Sequence, residues 1–182
     1  VALVLFLLRE KHKFQGENAK LRARILSLSE VSGNLVGPAS IQIGDIVPPF
    51  EALTIEGKQA GIVYDGSTKY LLYIFSPLCG VCASQFPDWN KLAVRAKVKN
   101  YKILGLSTAS AEETKLNASN QSFDVLIMPS KYIQRAYRVV SEPLVIIVSS
   151  QGKIEYAHYG GLTEDKVAEI TAALNSTSRA VR

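Results

Sequence analysis

Two cysteines, Cys79 and Cys82, are the only ones in the 182-residue chain, and Gly80 and Val81 separate them. This spacing suits one chemistry above others. A thiol attacks a disulfide only as its thiolate, and an unperturbed cysteine, with a pKa of about 8.5, is mostly protonated at neutral pH. At the first turn of a helix, unpaired backbone N–H groups and the positive end of the helix dipole favour the anion. A second cysteine three positions on lies about one turn along, close enough to resolve a mixed disulfide within the molecule. Cys79, the outer residue, is then the attacking thiol and Cys82 the resolving one. A zinc site would need further ligands, but there is no third cysteine and the histidines are His12 and His158, so no metal is expected. A purely structural disulfide across so short a loop would add little stability.

The flanking residues supply the helix and the strand this chemistry needs. Residues 70–75 (YLLYIF) form an apolar run of aromatic and branched side chains, with the length and composition of a buried strand. A turn follows at Ser76-Pro77. Beyond it Val81, Phe86, Trp89, Leu92 and Ala96 recur at helical spacing, which predicts a helix with one apolar face. The cysteine pair thus falls where a strand ends and a helix begins, the setting in which C-x-x-C reads as a redox motif.

Further along, residues 101–108 (YKILGLST) read as a second buried strand and 111–119 as a weak helix. A short strand is expected at 125–128, a helical turn or two at 131–137, and a strong strand at 144–148 (LVIIV). A turn at 149–152 leads to a strand at 153–159. Gly160-Gly161 then precedes a last amphipathic helix, 163–174, with Val167, Ile170 and Leu174 inward. Upstream, 50–55 is a short alternating segment ended by a turn at 56–58. Strands alternating with helices, then a closing hairpin, predict an α/β sandwich around a mixed sheet.

At 47% hydrophobic the chain can bury one sizeable core with some length to spare. The formal net charge is +5, but six of the 21 basic and three of the 16 acidic residues precede Val36, so the body is nearly neutral. Nothing here calls for nucleic acid. Lys91, Arg95, Lys97, Lys99 and Lys102 read as a solvated helix end that complements the dipole.

The opening eight residues, VALVLFLL, are too few to cross a bilayer, which takes about 20. They read as part of a longer apolar segment, a membrane anchor or a signal-peptide core. The anchor is preferred because a charged helical stretch follows with no cleavage-site pattern. Residues 9–30, with Phe14, Leu21, Ile25 and Leu28 on one face, are expected to form a helical stalk able to self-associate weakly. Residues 31–40, with two glycines and a proline, read as a linker. The folded domain is expected at 41–175, with a tail at 176–182.

From about Ile41 to Leu174 the chain resembles the thioredoxin-like redoxins, specifically the TlpA/ResA type of membrane-anchored thiol–disulfide oxidoreductase. Gly44-Asp45 with Pro49-Phe50 resembles that family's opening strand. Cys79-x-x-Cys82 followed by Phe86-Pro87 resembles its active-site helix, kinked at the proline. Glu142-Pro143 before LVIIV, with Gln151-Gly152-Lys153-Ile154, resembles its cis-proline loop and closing hairpin. The segment from Phe75 to Cys82 is also similar to the MauD-type accessory proteins. The resemblance implies a thioredoxin-like three-layer sandwich and extracytoplasmic exchange with protein dithiols or disulfides. It also implies a redox partner, anchorage in a bacterial cell envelope, and no cofactor beyond a redox-active Cys79–Cys82 disulfide.

The resemblance further places Pro77, Leu78, Gln85, Glu142 and Pro143 around the cysteines, in substrate-binding or tuning roles. A cis bend at Pro143 would present a backbone edge beside Cys79, to which a substrate strand could add. The sequence also departs from the pattern. Leu78 stands where the family has tryptophan, Tyr73 where thioredoxin has a buried acid, and Gln85 where related redoxins often have glutamate. Glu142 is then the one acid that the resemblance puts beside the site. Two other functions stay open. Ser76 precedes Cys79 by three residues, as in peroxiredoxins, though Leu72 occupies the place of their active-site proline. A non-catalytic scaffold or accessory protein would keep the fold without needing the thiols.

Overall fold

The computed structural model describes residues 40–118 and 121–176. The expected anchor remnant and stalk, nearly all of the linker and most of the tail lie outside them. Among the described residues no helix is long and apolar enough to cross a membrane.

Twelve elements follow in order: β1 (Phe50–Thr54), β2 (Gln59–Ile62), β3 (Lys69–Phe75), α1 (Gly80–Ser84), α2 (Phe86–Val98), β4 (Tyr101–Ser107), α3 (Ala111–Ala118), β5 (Asp124–Ile127), α4 (Lys131–Ala136), β6 (Leu144–Val148), β7 (Ile154–Tyr159) and α5 (Glu164–Ser176). The strands form one mixed sheet in the order β2-β1-β5-β4-β3-β6-β7. β3 runs parallel to β4, and β4 to β5, so all three end at the same edge of the sheet. β6 runs antiparallel to β3, with Ile74 opposite Leu144, and so begins at that edge.

β3 is central, and from Tyr70 to Phe75 it is buried on both faces, as an unbroken apolar run requires. Its side chains alternate between two cores. Tyr70, Leu72 and Ile74 join Leu104, Leu106, Ile146 and the α4 residue Ile133 on one face. Leu71, Tyr73 and Phe75 join Trp89 and Leu92 of α2 and Ile170 and Leu174 of α5 on the other. Helices therefore cover both faces, and the fold is the thioredoxin-like α/β sandwich. Each of these large side chains contributes roughly 1.5–3 kcal/mol when fully buried. The turn into β7 depends on Gly152, which adopts φ +81° and donates its N–H to the Ser149 carbonyl at 3.1 Å.

Two local features differ from what residue spacing alone predicted. The helix after the cysteines is interrupted, at the proline where the family resemblance implied a kink. α1 stops at Ser84 and α2 starts at Phe86 with Pro87 in its first turn, because proline has no N–H to give the carbonyl of residue 83. Val81 lies before this break and is 52% exposed, so it does not belong to the apolar face, which runs through Phe86, Trp89, Leu92 and Ala96. The second difference is β2, which pairs with β1 from Phe50↔Ile62 to Leu53↔Gln59, directly after the expected turn at 56–58 and where no element was expected.

Candidate active site at the cysteine pair

The end of β3 and the start of β6 set the site. Beyond Phe75 the chain turns through Ser76 and Pro77. The Cys79 N–H donates to the Ser76 carbonyl at 3.1 Å, and the Leu78 N–H donates to the Ser76 hydroxyl at 3.2 Å. Pro77 is buried under this turn, whereas Leu78 is 74% exposed at its tip. Cys79 is the N-cap residue of α1, with extended backbone at φ −84° and ψ 109°. Its sulfur accepts the N–H of Cys82 at 3.2 Å. That donor would stabilise a thiolate at Cys79 once the pair is reduced.

The two sulfurs are joined in a disulfide, with Cα atoms 5.2 Å apart. The cysteines differ in access as expected. Cys79 is half-buried, whereas Cys82 is fully buried in the cluster that holds Tyr73, Phe75, Phe86 and Trp89. Tyr73, in the place of a buried acid, donates its hydroxyl to the Cys82 carbonyl at 3.3 Å. Burial pushes this phenol well above the usual tyrosine range, so it stays protonated and remains a donor at any ordinary pH.

Glu142 and Pro143, joined by a cis peptide bond, face the pair from the start of β6. The Glu142 carbonyl oxygen lies 3.9 Å from the Sγ of Cys79. The Glu142 carboxylate accepts the hydroxyl of Thr108. Thr108 also donates its N–H to the Phe75 carbonyl at 3.0 Å, tying the ends of β3 and β4 together. Gln85 does not turn to a sulfur. Its Oε1 accepts the Leu162 N–H at 2.6 Å, and its Nε2 donates to the Leu162 carbonyl at 3.4 Å.

Cys79, Cys82, Pro77, Leu78, Glu142 and Pro143 are therefore gathered at one edge of the sheet, with Gln85 one step removed. Sequence reasoning missed Thr108 and the turn at 160–162. His158, considered in the sequence as a metal ligand, donates its Nε2 N–H to the Gly161 carbonyl at 3.1 Å. Gly160-Gly161 was the one signal in reach, and it reads only as a chain break.

Comparison with known proteins agrees with this geometry. Residues 43–157 match the AhpC/TSA family. The thioredoxin-like protein YneN of Bacillus subtilis is 25% identical over 134 residues, covering 71% of this chain and 78% of its own. Among solved structures, the thioredoxin domain of a thiol-disulfide oxidoreductase from Bacteroides vulgatus superposes with a TM-score of 0.65 at 20% identity, covering 75% of this chain and all of that one. A putative thiol:disulfide interchange protein DsbE from Chlorobium tepidum gives a TM-score of 0.64 at 23% identity, over 74% and 99% of the two chains. The chain belongs to the AhpC/TSA family, as a thioredoxin-like redoxin of the TlpA/ResA type that carries its cysteine pair at positions 79 and 82.

Proposed function

We propose that this protein reduces disulfides in protein substrates outside the cytoplasm, through Cys79 and Cys82. One observation carries the reading: a half-buried sulfur at a helix start is bonded to a fully buried one and faced by the backbone carbonyl of Glu142. In the reduced protein the Cys79 thiolate attacks one sulfur of a substrate disulfide. That S–S bond breaks, the other substrate sulfur leaves as a thiolate and takes up a proton, and a mixed disulfide forms on Cys79. Cys82 then loses its proton and attacks the Cys79 sulfur, releasing the second substrate thiol. Two electrons pass to the substrate, and the protein is left with the Cys79–Cys82 disulfide. A dithiol redox partner must return the electrons.

Leu78 and Val81, both exposed beside Cys79, offer an apolar rim for a polypeptide substrate. The backbone at Glu142 offers an edge to which a substrate strand can add. The negative end of the Glu142 carbonyl opposes a thiolate at Cys79, which lowers the reduction potential and favours work as a reductant. The apolar opening of the chain supports a membrane tether and a place in the bacterial cell envelope.

Trapping tests the reading. Reduced Cys82→Ser, mixed with a disulfide-bonded protein, should accumulate a mixed disulfide on Cys79, and Cys79→Ser should not. The couple should lie nearer the roughly −270 mV of a reductant than the −120 mV of a strong oxidant. No trapped adduct, or rapid turnover of hydrogen peroxide by the reduced protein, would overturn it.

A further inference from the structure

The turn between β7 and α5 is held from three directions. The Gly160 N–H donates to the Pro143 carbonyl at 2.8 Å. The Gly161 carbonyl accepts from His158 at 3.1 Å. Leu162 gives its N–H to Gln85 Oε1 and takes Gln85 Nε2 on its carbonyl, at 2.6 and 3.4 Å. A Cβ on residue 161 would run into Gln85 Nε2, so the glycine there matches the carboxamide packed against it. At its other end Gln85 belongs to the redox helix. It follows Cys82 by three residues, closes α1, and donates its backbone N–H to the Cys82 carbonyl at 3.3 Å.

We propose that Gln85 is a positioning residue, which sets the gap between the Cys79 sulfur and the Glu142 carbonyl by clamping the cysteine-bearing helix to the turn that holds Pro143. The inference rests on the thiol–disulfide reading above. The path is short and continuous: Gln85 to Leu162, through Gly161 to Gly160, across to Pro143, and so to the carbonyl 3.9 Å from Cys79. A carboxamide suits this place because it has both a donor and an acceptor, matching the N–H and C=O of a single residue. A carboxylate would set a second acceptor against the Leu162 carbonyl, and an aliphatic side chain would leave both backbone groups without this partner. In the reduced protein the negative end of the Glu142 carbonyl lies beside the Cys79 sulfur and raises the energy of a thiolate there. Holding the carbonyl close therefore disfavours the thiolate and, where that thiolate is populated, keeps the couple reducing. Releasing the clamp lets the carbonyl recede.

Two variants test this from opposite sides of the clamp, Gln85→Leu and Gly161→Ala. Alkylation of Cys79 in each reduced protein is timed at pH 6, and the potential of each pair is measured against glutathione. Alkylation should be about threefold faster than in the unaltered protein, the effect of a weak repulsion of the thiolate relieved, with the couple moved toward the oxidising side where the thiolate is populated. Should Gln85→Leu fail to fold, Gly161→Ala carries the same test. A lower melting temperature with unchanged alkylation and potential would show the clamp to be merely structural, and slower alkylation would reverse the proposal. If the unaltered protein does not exchange with glutathione, the functional reading fails, while the alkylation comparison still decides the clamp.

Discussion

Glu142 addresses the site with two groups: its carbonyl oxygen lies 3.9 Å from the sulfur of Cys79, and its carboxylate accepts the hydroxyl of Thr108. The carbonyl brings a dipole to the sulfur, and the carboxylate brings a net charge that the Thr108 hydroxyl holds in place.

Access separates the two thiols. After reduction, Cys79 should react with iodoacetamide at least tenfold faster than Cys82, which is fully buried. Mass spectrometry of briefly labelled protein measures both, and equal labelling would contradict the assignment of Cys79 as the attacking thiol.

Charge at position 142 can be removed without removing the acceptor. Glu142→Gln can still accept from Thr108 but carries no negative charge to oppose a thiolate. The Cys79 pKa should fall and the couple become more oxidising, by about 30 mV or less for a partly solvated charge. An unchanged alkylation profile and potential would leave the carbonyl as the sole contribution from this residue.

Thr108→Val keeps the size of the side chain and the backbone bond to Phe75 but strips the carboxylate of its hydroxyl donor. The group is only partly buried, so the cost should be about 1 kcal/mol. Urea unfolding of the oxidised protein measures it, and a midpoint equal to that of the unaltered protein would show that solvent replaces the hydroxyl.

Alkaline pH should weaken the fold through buried phenols. Tyr64 and Tyr137 share a hydrogen bond of 2.8 Å, and Tyr137 donates onward to the Pro48 carbonyl at 2.9 Å. Burial pushes Tyr64 up to about 12, and Tyr73 and Tyr137 further. An unfolded tyrosine titrates near 10, so above that pH the unfolded chain releases protons that the folded chain keeps. The stability is complete below pH 10. It should fall by roughly 1.4 kcal/mol per pH unit for each such tyrosine as the pH rises toward their folded values. Denaturant midpoints at pH 9, 10 and 11 should decline in order, and less steeply in Tyr73→Phe.

The strands that carry the site were legible because burial on both faces leaves a continuous apolar run, as in residues 70–75 and 144–148. β2 was not. Its sequence, QAGI, has no alternation, and it is a strand only because Phe50 to Leu53 of β1 offer it a ladder. The cysteine pair and its helix start could be read locally, since all their parts lie within a few residues. The break after α1 was signalled by Pro87, yet the spacing of Val81 with Phe86 pointed to a single helix. Contacts across long stretches of chain were silent. Thr108 meets Glu142 over 34 positions and Gln85 meets Leu162 over 77, and polar residues in loops carry no periodicity to announce such partners.

The pairing of Ile74 with Leu144 bears on how the molecule breathes. Cys79 hangs from one of these two strands and Pro143 from the other, so both jaws of the site grow from one rung of an interior ladder of the sheet. Local openings that release an edge such as β2 leave that rung closed, and its amides should exchange with deuterium only when the whole domain opens. The spacing between the sulfur and the carbonyl that faces it is thereby tied to the most slowly exchanging part of the protein.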